Sequence, residues 1–300
     1  MPAQQAPVVV GVDGSDQSLA AVRLAVREAA WRRRPLRVVH AFIWPLLHVP
    51  LGPPPGGPPE GGLRHEAERI VDGAVAHARE IEPDVSVTGA VVDGQASVVL
   101  LREARDAALV VVGDRGLGGF TGLLLGSVAV QVVSHAPCPV LVARGEERAD
   151  SPVLVGVDGS PLSELPIGFA MEEAAWRRTR VVAVHTWTHP ASLGPGDMQP
   201  LVHDVDATGE DEARVLAEAL AGWREHYPDV PVEERVVRGR PARALLDEAG
   251  KGAQLIVVGA RGRGEFTGLL LGSVSQAVLH HAPCPVGIVR VPREAERTGG

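Results

Sequence analysis

Hydrophobic residues along the chain occur in short runs that alternate with longer amphipathic stretches. This alternation is typical of βαβ units, which build a parallel sheet with helices on both faces. In the first half of the chain we predict strands at residues 8–12, 36–41, 85–91, 109–112 and 140–143. We predict helices between them at residues 16–33, 63–81, 96–107 and 127–134, and Pro35 ends the first of these.

The whole pattern occurs twice. Three segments of the first half recur in the second half at an offset of 145 or 146 residues: VGVDGS at 10–15 and 155–160, EAAWRR at 28–33 and 173–178, and FTGLLLGSV at 120–128 and 266–274. Such self-similarity indicates a duplicated domain. We therefore predict two tandem α/β domains, at residues 1–146 and 151–292, followed by a tail at residues 293–300.

Composition excludes several classes of protein. The net charge of −8 opposes nucleic acid binding, and the apolar runs end well before the ~20 residues that cross a bilayer. Residues 1–6 lack the features of a secretory leader, so we expect a cytoplasmic protein with neither nucleic acid nor membrane as a partner.

Cys138 and Cys284 occur once per copy and are expected to be buried, inert thiols.

A glycine-rich loop follows the fourth predicted strand of each copy, with the spacing G-x2-G-x9-G-S. Its fixed positions are Gly113, Gly116, Gly126 and Ser127 in copy one and Gly259, Gly262, Gly272 and Ser273 in copy two. Glycines allow a ligand to approach the backbone, and the amides at a helix start attract anions. Arg115 and Arg261 could add a guanidinium to a phosphate site. The alternative is that the glycines only permit tight turns and the serines only cap helices.

Two aspartates, Asp13 and Asp158, follow the first strand of each copy. Ligands bind at the carboxyl ends of parallel strands where the strand order reverses, and a carboxylate there can accept hydrogen bonds from both ribose hydroxyls. The alternative is an Asp-Gly turn that leads into a serine helix cap. His40 and His185 end the second strand of each copy and are expected to form part of a pocket wall.

The sequence lacks the motifs of several well-known nucleotide-binding and catalytic mechanisms. Lys251 is the only lysine and lies outside the glycine loops, which excludes a P-loop, and no dinucleotide fingerprint follows the first strand. We find neither metal-ligand spacing nor a nucleophile elbow. The sequence therefore predicts no catalytic residue and no protein-built metal site.

On these residues the chain resembles the universal stress protein family in its tandem form, and the complete G-x2-G-x9-G-S motif resembles the ATP-binding branch. The resemblance implies Rossmann-like, open five-stranded parallel sheets in the order 3-2-1-4-5. It also implies that Asp13 and Asp158 hold ribose, that the loops hold phosphates, and that backbone near Ala41 and near Val184 or His185 meets adenine. The last strands, at 140–143 and 286–289, are expected to pair, and whole chains are expected to form a homodimer.

The predicted ligand is ATP, with or without Mg²⁺, and other adenine nucleotides such as AMP or cyclic AMP stay open. The predicted binding residues are Gly11, Asp13, Ala41, Gly113, Arg115, Gly116, Gly118, Gly126, Ser127 and Val128 in copy one, and Gly156, Asp158, Gly259, Arg261, Gly262, Gly264, Gly272, Ser273 and Val274 in copy two.

The function expected from the sequence is nucleotide-dependent regulation of a stress response with little or no turnover, through an unidentified protein partner. The alternatives are a slow ATP hydrolase or nucleotidyl-transfer enzyme, and a ligand-free scaffold. The two loops differ at three corresponding positions: Asp114 and Ala260, Leu117 and Arg263, and Gly119 and Glu265. An acid at 114 or 265 that points inward would repel phosphate, so the two affinities are expected to differ.

Overall fold

The computed structural model of the chain describes residues 5–43, 62–117, 125–146, 148–187, 205–262 and 270–290. The chain divides into two compact units. Unit one comprises Met1–Gly145 together with Pro285–Gly300, and unit two comprises Glu146–Cys284. None of the helices within the described ranges is both long enough and apolar enough to cross a membrane.

Unit one alternates strands and helices along the chain. Its elements are β1 (Val8–Gly11), α1 (Asp16–Arg32), β2 (Leu36–Phe42), α2 (Leu63–Ile81), β3 (Val87–Asp93), α3 (Ala96–Glu103), β4 (Leu109–Gly113), α4 (Ser127–His135), β5 (Val140–Ala143) and β10 (Val286–Val289). The strands lie in the order β3-β2-β1-β4-β5-β10, and the first five are parallel. β10 runs antiparallel to β5, with Gly287 opposite Leu141.

Unit two repeats this arrangement. Its elements are β6 (Val153–Val157), a 3₁₀ turn (Pro161–Ser163), α5 (Glu164–Arg177), β7 (Val181–Trp187), α6 (Val205–His226), β8 (Val232–Arg238), α7 (Pro241–Gly250), β9 (Leu255–Gly259) and α8 (Ser273–His281). The strand order is β9-β6-β7-β8, and all three pairs are parallel. The predicted α/β class is confirmed, and the predicted strand order is the one observed in unit one.

The valine runs form the centre of each sheet. Val8, Val9 and Val10 of β1 are fully buried, as parallel strands with helices on both faces require. β1 lies between β2 and β4, so the chain turns to opposite sides of β1 in its two crossovers. Ligands bind at such a reversal in open parallel sheets, and Asp13 and Gly113 lie at this edge.

Two predicted elements, β3 and α3, have boundaries that are wrong by two residues or more, and β3 ends at Asp93 instead of residue 91. β3 begins at Val87 instead of residue 85, because Pro83 opens a turn in which the Val85 amide donates to the Glu82 carbonyl. α3 ends at Glu103 instead of residue 107, because tighter turns follow it and the Arg105 amide donates to the Arg102 carbonyl.

Candidate functional site

The carboxylate of Asp13 joins three parts of unit one. Its Oδ1 accepts from the Ser15 amide at 3.0 Å and from Ser15 Oγ at 2.6 Å, while its Oδ2 accepts from the Leu117 amide at 2.8 Å. Ser15 also caps α1 by accepting from the Ser18 amide. The Asp-Gly turn considered from the sequence is therefore present, and Oδ1 of Asp13 accepts its hydrogen bonds. The other oxygen, Oδ2, binds the glycine loop.

Two opposing effects act on the pKa of Asp13. Burial acts to raise it, and hydrogen bonds from Ser15, the Leu117 amide and Ser18 act to lower it. The hydrogen bonds prevail, so the pKa of Asp13 lies below its ordinary value of 3.8. The group is therefore a carboxylate at neutral pH and can accept hydrogen bonds.

Asp158 occupies the same place in unit two with more serine partners. Its Oδ1 accepts from the Ser160 amide at 2.9 Å, from Ser160 Oγ at 2.6 Å and from Ser163 Oγ at 2.7 Å. The Asp158 amide donates to Ser163 Oγ at 3.1 Å. Both the backbone and the carboxylate of Asp158 are thus fixed by the turn that precedes α5.

The second glycine of each loop packs against the aspartate. A Cβ at Gly116 would overlap Asp13 Oδ2, and a Cβ at Gly262 would lie 2.8 Å from Asp158 Oδ2. None of the six described loop glycines has a positive φ. Close approach to the strand-end carboxylate accounts for Gly116 and Gly262, whereas a Cβ at Gly113 or Gly259 would crowd the backbone carbonyl two residues later.

The fixed nine-residue interval also has a structural counterpart. The Gly126 amide donates to the Asp114 carbonyl at 2.7 Å, and the Gly272 amide donates to the Ala260 carbonyl at 2.8 Å. Each of these bonds joins the two ends of a loop at its base. The third glycine of the motif is therefore the point at which the loop returns to the strand.

The serines of the motif are not helix caps. Gly126 and Gly272 occupy the N-cap positions, and Ser127 and Ser273 are the first residues of α4 and α8. Glycine has no side chain with which to satisfy the first amides of a helix, and uncapped amides attract anions. The geometry suits a phosphate at each helix start.

The loop arginines differ in their surroundings. Arg115 is half-exposed, and its Nε lies 3.8 Å from Asp114 Oδ2. In unit two the corresponding neighbour is the buried Ala260. The residue that precedes Arg261 therefore carries no carboxylate, whereas the residue that precedes Arg115 does.

A cavity of about 510 Å³ brings most of the unit-two predictions together. Eight predicted residues line it: Gly156, Asp158, Gly259, Arg261, Gly262, Gly272, Ser273 and Val274. Gly264 and its counterpart Gly118 lie outside the described residues. The cavity thus joins the end of β6, the glycine loop and the start of α8.

Sequence reasoning missed most of the remaining wall. The additional lining residues are Val157, Leu162, Ser163, Pro166, Thr186, Pro241, Leu245, Val258 and Ser275. Val184, one of the two adenine positions suggested on β7, lines the cavity, and Thr186 is the counterpart of Ala41. His185 is turned away from it and bonds to α6. The signal available in the sequence was strand alternation, which places Val184 and Thr186 on one face and His185 on the other.

The glycines of the first strands serve packing. A Cβ at Gly11 would lie 2.8 Å from Leu100 of α3, and a Cβ at Gly156 would lie 3.0 Å from Leu245 of α7. These glycines let a leucine from the overlying helix sit on the strand end.

Among the described residues no group of three His, Cys, Asp or Glu side chains is placed to hold a metal ion.

Sequence comparison identifies relatives of the chain over nearly its whole length. The sequence profile of the universal stress protein family matches residues 6–144 and 151–290. A universal stress protein of Mycobacterium tuberculosis is 41% identical over 300 residues, which cover 96% of this chain and 98% of the relative. One from Mycolicibacterium smegmatis is 40% identical over 293 residues, covering 94% and 96%.

A solved structure shows the same fold. The crystal structure of a universal stress protein from Archaeoglobus fulgidus superposes with a TM-score of 0.68 at 19% identity, and the match covers 96% of this chain and 99% of that one. The two profile matches and the full-length relatives settle the relationship: the chain belongs to the universal stress protein family.

Proposed function

We propose that the chain binds ATP in each repeat, retains it without rapid turnover, and acts as a nucleotide-dependent regulator in the stress response. The observation that carries this proposal is the unit-two cavity, which combines a carboxylate, a guanidinium and an uncapped helix start in about 510 Å³. Pockets for small ligands commonly measure roughly 300–1,000 Å³.

The lining residues divide by chemistry into three parts. Asp158 accepts hydrogen bonds from the ribose hydroxyls. The phosphates are bound by the backbone amides around Gly262 and Gly272 and by the side chains of Arg261 and Ser273. Val184 and Leu245 form an apolar wall for the adenine. Gly156, Gly259 and Val274 complete the wall. In unit one the proposed equivalents are Gly11, Asp13, Ala41, Gly113, Arg115, Gly116, Gly126, Ser127 and Val128.

Slow turnover follows from the residues near the proposed phosphates. Rapid phosphoryl transfer needs a positioned base and charge-neutralising groups around the γ-phosphate. At Arg261 and at the fixed motif positions the loop supplies arginine, backbone amides and serine, which bind phosphates but do not accept protons at neutral pH. Mg²⁺, where present, would be held by the nucleotide phosphates and water, as is common for this ion.

The first test is to purify the protein without added nucleotide, denature it, and identify and count the nucleotide released per chain. We expect close to two ATP. The stripped protein is then titrated with ATP by calorimetry, beside Gly262→Ala and the matched control Gly222→Ala, whose Cβ meets open space. We expect Gly262→Ala to lose one site and Gly222→Ala to keep both.

Two results would contradict the proposal in different ways. Release of no nucleotide, together with an unchanged melting temperature on adding ATP, would favour the ligand-free scaffold. Steady phosphate release that disappears in Asp158→Ala would favour the hydrolase.

A further inference from the structure

The side chain of His185 lies beneath the candidate site, on the sheet face opposite to the cavity. It is only 1% exposed, and its neighbours Val184 and Thr186 line the cavity on the other face of β7. A side chain in this position can affect a ligand only through the groups that it holds.

His185 bonds to two groups that ordinarily only accept. Its Nδ1 lies 2.8 Å from the Val157 carbonyl oxygen, and its Nε2 lies 2.8 Å from Glu212 Oε2 on α6. A backbone carbonyl cannot donate, so Nδ1 carries a hydrogen. The second bond needs one further proton, on Nε2 or on Glu212. This proton lies between Nε2 and Glu212 Oε2, so the two side chains hold each other in place.

The carbonyl held by His185 belongs to the same peptide unit as the Asp158 amide. That amide donates to Ser163 Oγ at 3.1 Å, so the peptide is held at both ends. Asp158 is the residue proposed to bind ribose. Glu212 therefore contacts His185, and His185 contacts the peptide between Val157 and Asp158, which orients the Asp158 carboxylate.

Unit one has only part of this arrangement. His40 Nδ1 lies 2.9 Å from the Val12 carbonyl oxygen, as in unit two. The α2 residue at the position of Glu212 is Ala67, which is buried. Ser18, the counterpart of Ser163, donates its hydroxyl to the Ser15 carbonyl instead. Among the residues that the structure describes, a carboxylate partner of this histidine occurs in the second repeat alone.

We propose that Glu212 and His185 are positioning residues of the unit-two nucleotide site. Glu212 keeps the Nδ1–H of His185 directed at Val157, and this bond holds the Asp158 peptide in its ligand-binding orientation. The ligand part of this inference rests on the proposed function. The positioning part concerns the protein alone and can be tested without nucleotide.

The first experiment is nitrogen NMR of the nucleotide-free full chain, read at the His185 ring and at the Asp158 amide. We expect Nδ1 of wild-type His185 to carry a hydrogen bonded to the Val157 carbonyl and Nε2 to be hydrogen-bonded to Glu212. Glu212→Ala should remove the hydrogen bond at Nε2 and shift the Asp158 amide resonance. Glu212→Gln should restore the Asp158 resonance, because a glutamine amide can donate to a neutral Nε2.

The second experiment is an ATP titration of the same variants, with the unit-one site as internal reference. Loss of one positioning hydrogen bond should weaken the unit-two site roughly fivefold in Glu212→Ala, which corresponds to about 1 kcal/mol. Glu212→Gln should stay within about twofold of wild type by the same scale. The exposed neighbour Asp211, changed to alanine, is the matched control and should leave both sites unchanged.

The inference is overturned if Glu212→Ala leaves the Asp158 resonance and the unit-two affinity unchanged, or if Glu212→Gln fails to rescue either. A merely structural pair would lower the melting temperature in both variants without separating them in affinity. If wild-type protein binds no ATP, the proposed function fails, and the Asp158 resonance still decides whether the pair positions the aspartate.

Discussion

Gly116 lies against the carboxylate of Asp13, so closely that no Cβ fits between them, and the next amide along the chain, that of Leu117, donates to the same oxygen at 2.8 Å. The strand end and the glycine loop are therefore a single packed structure. The glycine at this position is required by its distance from Asp13 and not by its backbone angles.

Gly116→Ala should destabilise the protein. The added methyl group must displace a carboxylate that Ser15 and Leu117 hold, and overpacking of this kind costs roughly 1–3 kcal/mol. Urea unfolding measures the change. The control is Gly73→Ala in α2, where a Cβ meets open space and should raise the free energy of unfolding by about 0.5–1 kcal/mol. Equal stability of the two variants would contradict the packing argument.

Asp13 should make stability depend on acid pH. Its folded pKa lies below the ordinary value of 3.8, so its stabilising contribution is complete above that value and is lost as the pH falls through the folded pKa. The difference in free energy of unfolding between wild type and Asp13→Asn should be constant between about pH 5 and about pH 7 and should shrink below pH ~4. Urea unfolding at each pH tests this.

Cys138 should resist alkylation in the folded protein. Burial raises the pKa of its thiol to about 11, so little thiolate is present at pH 8. Cys284 is almost fully buried and should also be protected. Mass spectrometry after iodoacetamide treatment should find both thiols unmodified in buffer and both modified in denaturing urea. Rapid labelling of Cys138 under native conditions would contradict this prediction.

The buried ion pair of α5 should matter far more than an exposed one. Arg177 Nε lies 2.9 Å from Glu173, and the two side chains are 3% and 0% exposed. Glu173→Ala removes this carboxylate from a buried guanidinium and should cost about 3 kcal/mol. Asp247→Ala removes the exposed partner of Arg243 and should cost less than about 0.5 kcal/mol. Thermal or urea unfolding distinguishes the two, and similar losses would be the contrary result.

The predictions from sequence succeeded where burial determines the pattern. Buried parallel strands appear as runs of valine and leucine, and β5 was placed at its observed bounds, residues 140–143. The glycine spacing likewise identified the loop, because the three glycines of the motif are the places where the loop meets the strand ends. The errors at β3 and α3 arose from local turns, whose hydrogen bonds leave little trace in periodicity.

The cavity wall and the His185–Glu212 pair could not be predicted in the same way. Leu245 reaches the cavity because α7 packs over β6, and a sequence does not state which helix covers which strand. The bond between His185 and Glu212 joins two elements that are distant along the chain. One signal was present, because Glu212 and Ala67 differ in character at matching positions of two similar repeats.

The strand β10 comes from the end of the chain, yet it belongs to unit one and covers the free side of β5. The compact units therefore do not coincide with the two sequence repeats, because unit one contains a strand from the second repeat. A fragment that stops at the repeat boundary would expose a row of unpaired backbone amides and carbonyls along β5, and such open edges promote self-association. Separation of the repeats into two chains would therefore leave β5 open to pairing with a strand of another chain.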